Sequence, residues 1–136
     1  MTTLVTGATG FLGNAVARAL LSKGVPLKIL KRVSSDTRTI SDLDVPVVNG
    51  DLQDGGSLER ALKGCDTLYH VAADYRLWVK NPDELYANNV AGTENIMRAA
   101  MRAGVSKIIY TSSVATIGLM NDGTSSCEDT PSNLKD

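Results

Sequence analysis

Val5-Thr6-Gly7-Ala8-Thr9-Gly10-Phe11-Leu12-Gly13 sets three glycines at three-residue spacing between an apolar run and a segment of helical periodicity. Upstream, Thr2-Thr3-Leu4-Val5-Thr6 reads as a short buried strand. Downstream, Leu12, Ala15, Val16, Ala19 and Leu20 recur at the spacing of one helix face. The glycines therefore fall at a strand-to-helix turn, and that context gives each a role. Gly7 allows the tight turn out of the strand, Gly10 lets the main chain approach a pyrophosphate, and Gly13 lets the helix pack close to the sheet. The helix N-terminus adds free N–H groups and positive partial charge, so the stretch reads as a phosphate cradle.

The Gly-x-x-Gly-x-x-Gly spacing departs from the Gly-x-Gly-x-x-Gly of the common dehydrogenase fingerprint. Thr6 to Gly13 instead resembles the cofactor motif of the extended short-chain dehydrogenase/reductases, which include sugar-nucleotide epimerases, dehydratases and dihydroflavonol reductases. The resemblance implies an α/β fold of Rossmann type, a parallel sheet with helices on both faces. It also implies a dinucleotide held by Gly7, Thr9, Gly10, Phe11, Leu12 and Gly13.

Length and composition agree with one soluble domain. The chain has 136 residues, 43% of them hydrophobic and 21% charged, with a net charge of -1, which argues against disorder and against nucleic-acid binding. Charge is unevenly spread. Residues 1 to 35 hold five basic residues (Arg18, Lys23, Lys28, Lys31, Arg32) and no acid, whereas the remainder holds nine basic and fifteen acidic residues. A positive field around the glycine turn favours an anionic ligand, although a solvated helix face explains Arg18 and Lys23 equally well. Cys65 and Cys127 follow no metal or redox spacing, and both are expected as free thiols in a reducing cytoplasm. No apolar run reaches the length of a membrane span, and Met1 leads directly into the first strand, leaving no room for a targeting segment.

Beyond the first helix, Lys23-Gly24 gives a stop and Leu27 to Lys31 a second strand. In NAD-binding proteins of this plan an acid about 20 residues past the glycines holds the ribose hydroxyls, whereas an arginine accommodates a 2′-phosphate. Here Lys31-Arg32 ends the strand and no carboxylate precedes Asp36, so the sequence favours NADP(H), with NAD(H) the alternative. Arg32 also resembles the arginine that follows the second strand in dihydroflavonol-reductase-like proteins; a solvent-facing basic pair is the plainer reading.

Val45 to Asn49 reads as a third strand closed by Gly50-Asp51-Leu52. The resemblance sets Asp51 near the adenine amino group and the main chain of Leu52 beside the ring, while a turn-capping Asp51 stays open. Ser57 to Lys63 has helical spacing, and Thr67 to Val71 is a fourth strand. His70, the only histidine, reads as a packed, hydrogen-bonded core residue rather than a catalytic one. Ala72 and Ala73 follow, small enough at a strand's carboxyl end to admit a cofactor's ribose and phosphates. Asp74 to Asn81 reads as a loop, on which Tyr75 and the only tryptophan, Trp78, either meet substrate or close the core.

Pro82-Asp83-Glu84 opens a long helix expected to run to about Ala103. Leu85, Asn89, Thr93, Ile96 and Ala100 share one stripe of it, which turns the Asn89 amide inward. A cofactor or an ordered water would supply its partners, or else neighbouring main chain does. Tyr86 to Thr93 is similar to the family's Asn-Val-x-Gly-Thr helix, whose asparagine supports the active site, and this gives Asn89 a catalytic role. Lys107 to Ser113 reads as a fifth strand, apolar and then abruptly hydroxylated. Tyr110 to Gly118 is similar to the family segment with the active-site serine; that role falls on Ser113, with Ser112 as the near alternative and a cofactor contact.

These readings divide the chain into a dinucleotide-binding portion, residues 1–118, and an irregular tail, residues 119–136. The resembled enzymes move a proton with a tyrosine and a lysine four residues later. Tyr69, Tyr75, Tyr86 and Tyr110 are followed at that distance by Ala73, Val79, Val90 and Val114. The expectation is therefore an N-terminal portion of an NAD(P)-dependent oxidoreductase or epimerase acting on a hydroxyl or carbonyl of a small-molecule substrate, inactive by itself. A non-catalytic dinucleotide sensor is the alternative. His70 to Thr93 and Tyr110 to Leu119 most resemble dihydroflavonol-reductase-like sugar epimerases associated with hopanoid synthesis. An unfinished sheet would also expose an edge strand able to pair with a second copy.

Overall fold

The computed structural model describes residues 1–120 and 122–132; the expected tail at 121 and 133–136 lies outside them. Its strands are β1 (Thr3–Thr6), β2 (Leu27–Lys31), β3 (Val47–Asn49), β4 (Thr67–His70) and β5 (Lys107–Tyr110). The helices are α1 (Phe11–Ser22), α2 (Gly55–Leu62), α3 (Asp83–Tyr86) and α4 (Gly92–Arg102), with a π-helical turn, Ala87–Ala91, joining the last two. All strands run parallel in the order β3-β2-β1-β4-β5. The chain first winds outward from β1 through β2 to β3, then returns to place β4 on the other side of β1. That reversal opens a crevice at the carboxyl ends of β1 and β4, where Thr6 stands opposite His70.

Alternation along the strands builds two cores. Leu4, Leu30 and Leu68 face α2 and α4, and pack with Leu58, Leu62, Ile96 and Ala100. Val5, Leu27 and Ile29 face the other way and pack with Ala17 and Leu20 of α1, closed over by Ile40 from a short 3-10 turn, Arg38–Ile40. Each fully buried Leu or Ile contributes roughly 1.5–3 kcal/mol, so these layers fix where the crevice lies.

Several boundaries differ from the sequence reading. The first strand begins at Thr3 rather than Thr2, the second helix spans Gly55–Leu62 rather than Ser57–Lys63, and the fourth strand ends at His70 rather than Val71. The third strand begins at Val47 rather than Val45, although Pro46 still accepts from the Ile29 N–H at 2.9 Å. Proline has no N–H of its own to extend the ladder. The fifth strand ends at Tyr110 rather than Ser113, because β4 stops at His70. Only Thr111 N–H reaches across, to the His70 carbonyl at 3.0 Å. The long helix is continuous in direction but widens at Ala87–Ala91.

Candidate functional site

The crevice is a cleft of 1440 Å³. The glycine turn forms its floor. Gly7 has φ +74°, and a Cβ there would lie 2.7 Å from the Ala72 nitrogen; a Cβ on Gly13 would lie 2.1 Å from the Gly7 carbonyl oxygen. Both positions demand glycine, one for its backbone angle and the other for its close approach. α1 then starts at Phe11 with no side-chain cap on Gly10 and no acid in its first turn, so the helix presents uncompensated N–H groups at the cleft. Gly7, Thr9, Gly10, Phe11, Leu12, Gly13, Arg32, Asp51, Leu52, Ala72 and Ala73 all line the cleft.

Ala72 is fixed by a residue that the sequence reading passed over. The Thr6 hydroxyl accepts from the N–H groups of Val71 and Ala72, each at 3.1 Å, and lies 2.8 Å from Nδ1 of His70. The other ring nitrogen of His70 lies 3.2 Å from the Thr93 hydroxyl, and Tyr110 stacks on the ring with centroids 5.4 Å apart. His70 is fully buried, and burial pushes its pKa down to about 4. The packed, hydrogen-bonded histidine expected from sequence is what stands there.

Asn89 does face inward, but main chain satisfies it. Its Oδ1 accepts from the Asp74 N–H and its Nδ2 donates to the Asp74 carbonyl, both at 2.7 Å, so neither cofactor nor water is needed. Asn89 does not line the cleft; it holds the loop that does. On that loop the Asp74 carboxylate accepts from Arg76 Nε at 2.8 Å and from Asn88 Nδ2 at 2.9 Å. The guanidinium beside it holds the Asp74 carboxyl well below the usual carboxylate range. Asn88 also accepts from Gln53 Nε2 at 2.9 Å, and Asn95 donates to the Leu52 carbonyl at 2.9 Å. The loops after β3 and β4 are thereby tied together through the π turn. Asp74, Arg76, Asn88 and Gln53 line the cleft and were missed in the sequence. Their one local signal is the Asp-x-Arg pair at 74 and 76.

Asp51 lines the cleft and also accepts from the Gln53 N–H at 2.9 Å, so its turn-capping role is present. Ser113 caps the 3-10 turn Val114–Thr116 by accepting from the Ala115 N–H, while the Ser112 hydroxyl lies 3.4 Å from that of Thr116. Neither serine lines the cleft. Tyr75 lines it, but Trp78 is 80% exposed and does not close the core, because its loop stands out beyond β4.

The charge picture sharpens. Arg18 is taken up by Asp42 in a two-point pair at 2.9 and 2.7 Å, and Lys28 donates to the Lys63 carbonyl. Every arginine except Arg32 has a carboxylate within 4.0 Å. Arg32, exposed at the cleft, has none among the described residues. Those residues also contain no His, Cys, Asp and Glu grouping suited to a metal, and no helix long and apolar enough to cross a membrane. Cys65 and Cys127 are both free thiols.

A parallel sheet in this order, with a glycine turn and an open helix N-terminus at its point of reversal, defines a Rossmann-type α/β domain. The chain belongs to the NAD dependent epimerase/dehydratase family, whose model matches residues 3–135. It is 46% identical over 119 residues to a Synechocystis sp. protein provisionally named a dihydroflavonol 4-reductase, a match covering 88% of this chain and 34% of that protein. Among solved structures it is similar to one titled "Crystal structure of gox2253", at 54% identity and a TM-score of 0.90, covering 96% of this chain and 39% of that one. It is also similar to the UDP-glucose 4-epimerase of Thermus thermophilus in complex with NAD, at 28% identity and a TM-score of 0.85, covering 97% and 44%. The chain thus spans about a third of the length of the relatives it matches.

Proposed function

We propose that this chain is the NADP(H)-binding portion of an NAD(P)-dependent reductase or epimerase acting on a hydroxyl or carbonyl of a small-molecule substrate. The observation that carries the cofactor choice is Arg32, the arginine with no carboxylate partner among the described residues, standing at the cleft where the second strand ends. A free guanidinium there suits the 2′-phosphate that distinguishes NADP(H). The rest of the cleft fits a dinucleotide. The uncapped end of α1 suits a diphosphate, the small side chains of Ala72 and Ala73 admit a ribose, and the Asp51–Leu52 turn suits an adenine edge.

When bound, the nicotinamide gives or takes a hydride. In this reading Asn89 acts through the Asp74 main chain, setting the loop beside the nicotinamide end, and Ser113, with Ser112 next to it, orients the substrate oxygen only once its hydroxyl turns from the Ala115 N–H that it caps outside the cleft. No tyrosine of the 136 residues has a lysine four positions on, so the proton-transfer pair of the resembled enzymes is not among them.

Titration of the chain with NADPH and NADH tests the reading. NADPH is expected to bind about tenfold more tightly, the scale of one charge-assisted interaction, and Arg32→Ala to bring it to the NADH level. Equal affinities in the unmodified chain would overturn the role of Arg32, and binding of neither would overturn the dinucleotide reading.

A further inference from the structure

We infer that His70 is a positioning residue: its bare Nδ1 accepts a hydrogen bond from the Thr6 hydroxyl, leaving both Thr6 lone pairs free to clamp the Val71 and Ala72 amides beneath the glycine turn. The argument is a count of donors and acceptors. A threonine hydroxyl has one proton and two lone pairs. Val71 and Ala72 both donate to Thr6 Oγ1 at 3.1 Å, which uses the lone pairs. The 2.8 Å contact with His70 Nδ1 must then be made by the Thr6 proton, so Nδ1 is the acceptor. The ring proton belongs on Nε2, where the Thr93 hydroxyl lies 3.2 Å away.

The opposite tautomer, or a cationic ring, would aim an N–H at a hydroxyl whose acceptor sites are filled. One of the two main-chain bonds would have to open. What the clamp holds is the peptide against which the phosphate turn is built, since a Cβ on Gly7 would lie 2.7 Å from the Ala72 nitrogen and 3.0 Å from the Val71 carbonyl carbon. Burial keeps water from substituting, because Thr6 and His70 are both closed to solvent. The elements packed around the ring bring Thr6 from β1, Thr93 from α4 and Tyr110 from β5, and no carboxylate, lysine or arginine touches it among the described contacts. Tyr110, stacked on the ring with planes 14° apart, keeps it in the orientation that serves Thr6.

The clamp itself does not depend on what the cleft binds; only its consequence for affinity rests on the dinucleotide reading. His70 is the only histidine, so long-range proton–nitrogen NMR of the ¹⁵N-labelled full chain shows one imidazole. At neutral pH the expected spectrum has Nε2 protonated and Nδ1 bare; the reverse assignment overturns the inference. Amide exchange gives a second reading. The Val71 and Ala72 protons should exchange at least about tenfold faster in Thr6→Val, which is isosteric without the hydroxyl, and protection should return in Thr6→Ser. NADPH affinity should fall and recover in parallel. Unchanged protection in Thr6→Val, or failure of Thr6→Ser to restore it, counts against the clamp. If the tautomer and exchange results hold but NADPH and NADH do not bind the unmodified chain, the clamp stands and the dinucleotide reading falls.

Discussion

At the scale of single residues, Gly10 and Gly13 separate folding from binding. A Cβ on Gly13 would lie 2.1 Å from a main-chain oxygen that cannot move without opening the turn, whereas one on Gly10 would meet only the Gly7 oxygen, at 3.3 Å. Gly13→Ala is therefore expected to cost more than about 3 kcal/mol. Gly10→Ala is expected to stay within about 1 kcal/mol of the parent in urea unfolding, while losing NADPH affinity because its methyl occupies the cleft. A Gly13→Ala chain as stable as the parent would contradict the packing described. The glycines could be read from sequence because their constraint is local, a turn between two short elements. Thr6 could not, because its partners lie 64 to 66 positions away. Asn89 was legible as an inward polar group, but the identity of its partner depended on how the loop after β4 folds back.

At the scale of elements, the five strands were legible because a sheet covered on both faces needs apolar runs. Their ends were legible only in part, at Leu27 and Lys31 of β2 but not at the close of β5. An edge strand stops where its one neighbour stops, so β5 ends opposite His70 whatever hydroxyl residues follow. The π turn left no trace in the periodicity, since Tyr86 to Thr93 fits a plain helix. Its effect is nevertheless specific. Successive side chains diverge by about 100° on an α-helix, and a wider turn narrows that angle, which lets Asn88 and Asn89 both reach Asp74. Asn89→Ala would leave the Asp74 N–H and carbonyl without this partner and is expected to cost about 1–3 kcal/mol in thermal unfolding. Asn89→Asp keeps the acceptor but turns a carboxylate oxygen toward the Asp74 carbonyl, so it should cost at least as much as Asn89→Ala. Stability equal to the parent in Asn89→Ala would show that the loop does not depend on the bond.

At the scale of the whole molecule, two of the five basic side chains in the first 35 residues are engaged away from the cleft, Arg18 by Asp42 and Lys28 by the Lys63 carbonyl, and the two that line the cleft are Lys31 and Arg32. Global stability should also carry the signature of His70. Its pKa is about 4 in the folded chain, against an ordinary value of about 6.5 when unfolded. As pH falls below about 6.5 the unfolded chain takes up the proton first, so the stabilisation is complete above that pH and lost on the way down. The loss levels off near pH 4, after about 3 kcal/mol. Urea midpoints of the parent and of His70→Asn, compared between pH 7 and pH 4, isolate this component. A constant difference between the two chains would mean that His70 titrates alike in both states. The position of Trp78 has an optical consequence. It is the only tryptophan, it stands in solvent, and it lies on the loop whose first residues, Asp74 to Arg76, line the cleft. Reduced nicotinamide absorbs where tryptophan emits and oxidised nicotinamide does not. With a dinucleotide in the cleft, the fluorescence of Trp78 would dim for one redox form and not the other, giving the chain an intrinsic gauge of its cofactor's oxidation state.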